Sequence, residues 1–150
     1  MIKFILLSIA FCLASAGVGF DLSFLNVTRA DASCLAQQGI TRASLALTVP
    51  LGYWNPKFLD NWIILQDAGI ETVDVIVGFN DGWDTNRKKI CNYLWEWLPR
   101  SFNGTIWFRI ESFSWVEKIR TRIPYLEDLA TKCKSHGFKV GIFSKPSTWA

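Results

Sequence analysis

No stretch beyond the first sixteen residues is apolar enough to cross a bilayer, and no Cys-x-x-Cys pair occurs anywhere in the chain. The first absence implies that, once any leader is removed, the protein has no membrane partner. The second, with cysteines as far apart as Cys34, Cys91 and Cys133, argues against a structural zinc site, and no motif calls for another metal or a cofactor. Charge is sparse and nearly balanced: 16 Lys and Arg against 13 Asp and Glu leave a formal +3. That is too little to argue for nucleic acid and suits, at most, an anionic surface such as a bacterial wall. Low-complexity segments, long linkers and repeats are also missing, so one domain is expected.

The N-terminus carries the tripartite pattern of a secretory signal peptide. Lys3 supplies the positive end, Phe4–Ala14 the apolar run and Ala14-Ser15-Ala16 a small-x-small cleavage site. Residues 1–16 are therefore expected to leave, and 17–150 to form the mature domain with a charge of +2. Half of the residues are hydrophobic and aromatics are plentiful, which allows a real core. Export leaves Cys34, Cys91 and Cys133, enough for one disulfide and one odd thiol. That thiol would be either buried and free or the mate of a cysteine outside this chain. Asn26-Val27-Thr28 and Asn103-Gly104-Thr105 are glycosylation sequons, usable only in an exported protein.

Strand-like and helix-like segments alternate along the mature chain. Strands are expected at Val18–Leu22, Ser44–Val49, Val73–Phe79, Thr105–Glu111 and Lys139–Phe143. Helices are expected at Arg29–Gln38, Pro56–Ala68, Arg87–Leu98 and Pro124–His136, with Gly39, Gly69 and Gly137 as stops. On the second helix Phe58, Leu59, Trp62, Ile63 and Leu65 are expected to face the core. Such βαβ succession builds a parallel sheet, open or curled into a barrel. Five strands are few for an eight-fold barrel, which takes around 250 residues.

Reacting groups in such folds gather at the C-terminal ends of strands. Asp21 ends the first strand and Glu111 the fourth. Alternation along the fourth strand puts Trp107, Arg109 and Glu111 on one face, with Phe108 and Ile110 on the other. A structural alternative is a buried ion pair between Arg109 and either Asp21 or Glu111. Asp74 opens the third strand at the end away from the pocket and reads as structural. His136, at a helix end, suits the helix dipole rather than catalysis.

Gly19-Phe20-Asp21-Leu22-Ser23 resembles the opening G-x-D-x-S motif of the family 25 glycoside hydrolases, the Chalaropsis-type lysozymes, and the chain is most similar to their nematode and amoeba branch. Cys34-Leu35 followed by Gly39 matches that branch's first helix. Ala68-Gly69-Ile70 leading into Val73-Asp74-Val75 matches its third strand. Ile106-Trp107-Phe108-Arg109-Ile110-Glu111 stands where the family has Ile-Trp-Leu-Asp-Ile-Glu. Gly141-Ile142-Phe143-Ser144 with Trp149 matches its closing segment. The resemblance implies a flattened, irregular β/α (TIM-like) barrel that cleaves the N-acetylmuramic acid to N-acetylglucosamine bond of peptidoglycan in digestion or antibacterial defence. Carried over, Glu111 is the general acid and Asp21 a pocket carboxylate. Asn26 lies on the pocket side and Asn103 at the opposite end. Among the tryptophans, Trp54, Trp83, Trp107, Trp115 and Trp149 lie near strand ends or loops, where sugar faces stack, with Trp83 the foremost loop candidate. Trp62, Trp95 and Trp97 read as core.

Two departures matter. Arg109 replaces the family's Asp, putting a permanent cation where glycoside hydrolysis needs a second carboxylate. It should also lower the pKa of Glu111, which a general acid needs raised. The chain also ends after the fifth strand, so the barrel is expected to lack its last strands. The sequence therefore favours a lysozyme-like protein of innate immunity that has lost turnover and keeps peptidoglycan in contact with Trp83, Trp107 and Arg109. An active lysozyme using Glu111 and Asp21, and a secreted α/β domain sharing only the scaffold, are the alternatives. Nothing in the sequence sets an oligomeric state.

Overall fold

The computed structural model describes residues 19–23, 25–48, 54–78, 90–110 and 119–144. The expected leader, residues 1–16, lies outside them. Strands β1 (Gly19–Ser23), β2 (Arg42–Ala46), β3 (Thr72–Gly78), β4 (Thr105–Ile110) and β5 (Lys139–Ser144) alternate with helices α1 (Arg29–Gln37), α2 (Phe58–Asp67), α3 (Ile90–Trp97) and α4 (Ile119–Ser135). All five strands are parallel and pair in chain order, β1-β2-β3-β4-β5. Right-handed crossovers that step always the same way put every helix on the same side. The packing agrees. Ala43, Leu45, Val73, Val75, Val77, Ile106 and Phe108 form one apolar face, which shares a core with Ala32, Phe58, Trp62, Leu65, Ile90, Leu94 and Leu129 of the helices. The α/β class and parallel sheet are as the sequence implies.

Local chemistry sets the element ends. Thr28 caps α1 in a reciprocal box: its hydroxyl accepts from the Asp31 N–H at 3.2 Å and donates to Asp31 Oδ2 at 2.6 Å, while that oxygen accepts the Thr28 N–H at 3.0 Å. These bonds, the side-chain one foremost, hold the exposed Asp31 carboxyl below its ordinary pKa. Gly69 and Gly137 take φ of +87° and +85° just past α2 and α4, the left-handed turn that a helix stop requires.

Three expectations need correcting. The core stripe of α2 is Phe58, Asn61, Trp62 and Leu65, a clean i, i+3, i+4, i+7 pattern, whereas Leu59 and Ile63 lie one step round and are exposed. Asn61 belongs inside because its Oδ1 accepts the Val27 N–H at 3.0 Å and its Nδ2 donates to the Leu25 carbonyl at 2.8 Å, tying the β1–α1 segment to α2. Helix α4 starts five residues before Pro124, which sits inside it rather than at its entry. Strand β2 begins at Arg42, because that residue pairs with both Gly19 and Thr72.

Cys91 and Cys133 form a disulfide that joins α3 to α4, with Cα atoms 5.0 Å apart. Cys34 is free and exposed on α1, so the odd thiol is not a buried one. Among the described residues no helix is long and apolar enough to cross a membrane.

Candidate functional site

The face of the sheet opposite the helices carries the polar chemistry. Alternation puts Asp21 on it from β1, Arg42 and Ser44 from β2, Asp74 and Ile76 from β3, Trp107 and Arg109 from β4, and Phe143 from β5. Pairing sorts them into rows. Asp21, Ser44 and Asp74 are in register, as are Ile76, Trp107 and Gly141, and, at the strand ends, Gly78, Arg109 and Phe143. A cavity of about 380 Å³ opens on this face, lined by Asp21, Arg42, Ser44, Asp74, Ile76, Trp107 and Phe143 among others. Its walls come from both edge strands, which a flat sheet of this size would separate by roughly 19 Å. The sheet is therefore coiled around this face.

Asp74 is the hub of the face. It is 5% exposed. Its carboxylate accepts Arg42 Nε at 2.8 Å and Nη2 at 3.0 Å, the Thr105 backbone N–H at 2.7 Å and Trp107 Nε1 at 3.2 Å. The hydrogen bond to Asp74 raises the Arg42 guanidinium above its ordinary pKa, against the opposing effect of its partial burial. Asp74 is structural, as expected, but it lines the cavity instead of lying away from it. Among the described residues, Arg42 and Asp74 form an ion pair on this face. Arg42 escaped the sequence reading because the expected strand began two residues later, at Ser44.

Trp107 is pinned at both ends. Its Nε1 is held by Asp74, and its six-membered ring lies on Gly141, where a Cβ would come within 2.4 Å of the ring carbons. Gly141→Ala must therefore push the indole off its seat. The expected cost is about 1–3 kcal/mol, read by thermal melting, together with a changed tryptophan emission.

Asp21 is exposed in the cavity wall, and its Oδ1 accepts the Ser44 hydroxyl at 3.1 Å. Arg109 stands two residues beyond Trp107 on the same face, its guanidinium carbon 5.9 Å from the centre of the Phe143 ring. Phe108 and Ile110 are buried on the helix side, as alternation requires. Glu111 and Trp83 lie outside the described residues, as do Trp115 and Trp149. Asn26 is exposed just after β1, at the strand-end side. Asn103 is exposed before β4, at the opposite end, where its Nδ2 donates to the Glu71 carbonyl at 3.2 Å. Among the described residues no group of three His, Cys, Asp or Glu is gathered that could hold a metal.

The tryptophans divide differently from the sequence reading. Trp62 is buried as expected, but Trp95 and Trp97 are 40% and 56% exposed. The buried residues of α3 are Ile90, Cys91 and Leu94, followed by Leu98, which turns both indoles outward. Trp95 stacks on His136 at 5.4 Å, and the Arg100 guanidinium lies 4.3 Å from its ring centre. His136 Nε2 is 3.1 Å from Asn92 Oδ1, a structural role. Trp97 stacks on Trp54 with ring centres 5.4 Å apart and planes 19° from parallel, and Tyr93 meets Trp54 edge-on.

A cavity that offers carboxylates, a guanidinium, a hydroxyl, an indole and a phenyl ring suits a hydroxyl-rich ligand with apolar faces. Residues 13–150 match a family described as Lysozyme-like protein 1. The chain is 26% identical over 122 residues to a probable GH family 25 lysozyme 4 of Dictyostelium discoideum, covering 79% of this chain and 56% of that protein. It is 25% identical over 133 residues to a lysozyme-like protein 3 of Caenorhabditis elegans, covering 86% and 44%. A probable GH family 25 lysozyme 2 of D. discoideum is 27% identical over 160 residues, covering 98% and 71%. The chain thus spans about half the length of the first two relatives. No solved structure matches it significantly.

Proposed function

The chain belongs to the Lysozyme-like protein 1 family, and from that premise we propose that it is a secreted, lysozyme-like protein of antibacterial defence which holds peptidoglycan glycan on the inner face of its sheet with little or no turnover. The observation that carries the loss of turnover is Arg109. It stands on the cavity side of β4, at the strand end, where the resembled motif has Asp. Glycoside hydrolysis passes through a cationic, oxocarbenium-like centre that needs a carboxylate beside it. A guanidinium there repels that centre. Binding has no such requirement. Trp107 presents an indole, Asp21 and Ser44 present acceptors and donors, and a cation at Arg109 does not oppose a sugar whose lactyl group is amidated or anionic.

The single-direction strand order and the cavity shared by both edge strands support an irregular β/α barrel as the full architecture. The signal-like N-terminus and the Cys91–Cys133 disulfide support export to an oxidising compartment. A second reading, an active lysozyme, draws on Asp21: an exposed carboxylate in the cavity wall can serve as the partner of Glu111.

Arg109→Asp separates the two. If the arginine is the block, the variant should release reducing sugar from cell walls at least about a hundredfold faster than wild type, the scale of one lost electrostatic stabiliser. Equal rates in both proteins would remove Arg109 from the explanation.

A further inference from the structure

We propose that Trp97, backed by Trp54, is a second glycan-stacking platform, lying outside the cavity and taking up polymer that runs over the strand-end rim. The inference rests on the glycan-binding reading above and adds to it a preference for long strands.

Trp97 is the more exposed of the two indoles that α3 turns outward, at 56%. One ring face is committed to Trp54, in a stack 19° from parallel, and the side chain as a whole stays more than half exposed. The pair is held firmly. Trp54 bridges to Thr48 just past β2, and the adjoining Asn55 donates its N–H to the Leu47 carbonyl at 2.8 Å and its Nδ2 to the Ala46 carbonyl at 2.9 Å. Thr48 in turn accepts the Gly78 N–H at 2.8 Å, and Gly78 is in register with Arg109. The platform is therefore anchored to the strand-end row in which Arg109 and Phe143 stand.

The surroundings select the ligand. Within four residues of Trp97 the exposed chain neighbours are Trp95, Glu96, Arg100 and Ser101, and Trp95 is itself engaged by His136 and Arg100, so the indole is bordered largely by polar groups. An indole already immobilised by a stacked neighbour loses little freedom when a pyranose lays its C–H face on it, and the polar rim can serve the ring hydroxyls.

The test compares soluble peptidoglycan strands of many disaccharide units with a single N-acetylglucosamine–N-acetylmuramic acid disaccharide, titrated calorimetrically into wild type, Trp97→Ala and Trp97→Phe. Trp97→Ala is expected to weaken the long strands about tenfold while leaving the disaccharide unchanged, with Trp97→Phe recovering most of the loss. Trp97→Ala also gives up the stack on Trp54, worth about 0.5–1.5 kcal/mol, so it should melt only a few degrees below the wild type and remain folded. Unchanged affinity of Trp97→Ala for long strands overturns the platform and leaves the glycan reading standing. An equal loss for both ligands overturns it too, since the residue then acts through the fold. Wild type that binds neither ligand overturns the glycan reading itself.

Discussion

Asp74→Ala is expected to lower stability by about 3 kcal/mol, a drop of roughly 10 °C in melting temperature for a domain of this size. Four donors converge on that carboxylate: two from Arg42, one from the Thr105 backbone and one from Trp107. Alanine leaves the guanidinium without its counter-charge, the Thr105 N–H without an acceptor and the indole N–H loose over the cavity. Unsatisfied partners of a buried acid cost more than the bonds themselves contribute. The lower end of the range for a broken buried pair applies because the Arg42 side chain is 45% exposed and water can replace part of what it loses. Asp74→Asn keeps the acceptor oxygen and the shape, so it should cost about half as much. Both variants should alter the tryptophan emission, because both release Trp107 from one of its two anchors. A melting temperature within a degree or two of wild type for Asp74→Ala would mean that the hub does not hold the face together.

Replacing Cys91 and Cys133 together by alanine should cost about 4 kcal/mol, the loop-closure value for residues 42 apart in sequence. That is a large fraction of the ~5–15 kcal/mol that holds a typical domain folded. The bond closes a loop containing β4 and joins the two helices that flank it, so its loss should loosen the strand that carries Trp107 and Arg109. Alanine is the informative replacement: both cysteines are fully buried, and serine would add two buried hydroxyls. Reducing agent should reproduce the effect in wild type and have no effect on the variant. Cys34→Ala is the control, since that thiol is exposed on α1 and its loss should leave the melting temperature unchanged.

The features legible in the sequence were those set by local periodicity. The alternation of Ile106, Phe108 and Ile110 with Trp107 and Arg109 separates the two faces of β4 without any knowledge of its neighbours. The glycines after α1, α2 and α4 mark where those helices stop. Features that depend on pairing across the chain were not legible. Arg42 meets Asp74 only because β2 and β3, thirty residues apart, align in one register. An acid and a base on separate strands do not announce each other. The disulfide was equally hidden, since any of three cysteines could pair until α3 and α4 were placed side by side. On α3 Trp97 was expected in the core, whereas the buried line runs on to Leu98, and a shift of one residue turns an indole from core to surface. The same shift on α2 exchanged Asn61 for Leu59 and Ile63. Hydrophobicity alone favoured the apolar pair; the two backbone partners of Asn61 decided otherwise.

The central claim is a glycan-holding protein whose chemistry is blocked at Arg109. Its most direct test is the release of reducing ends from insoluble peptidoglycan by the wild-type protein, followed over hours with the same sample assayed for protein retained on the wall. The expected result is retention with release no faster than the blank. Rapid release by wild type, abolished by Glu111→Gln, would contradict the account and establish a working lysozyme.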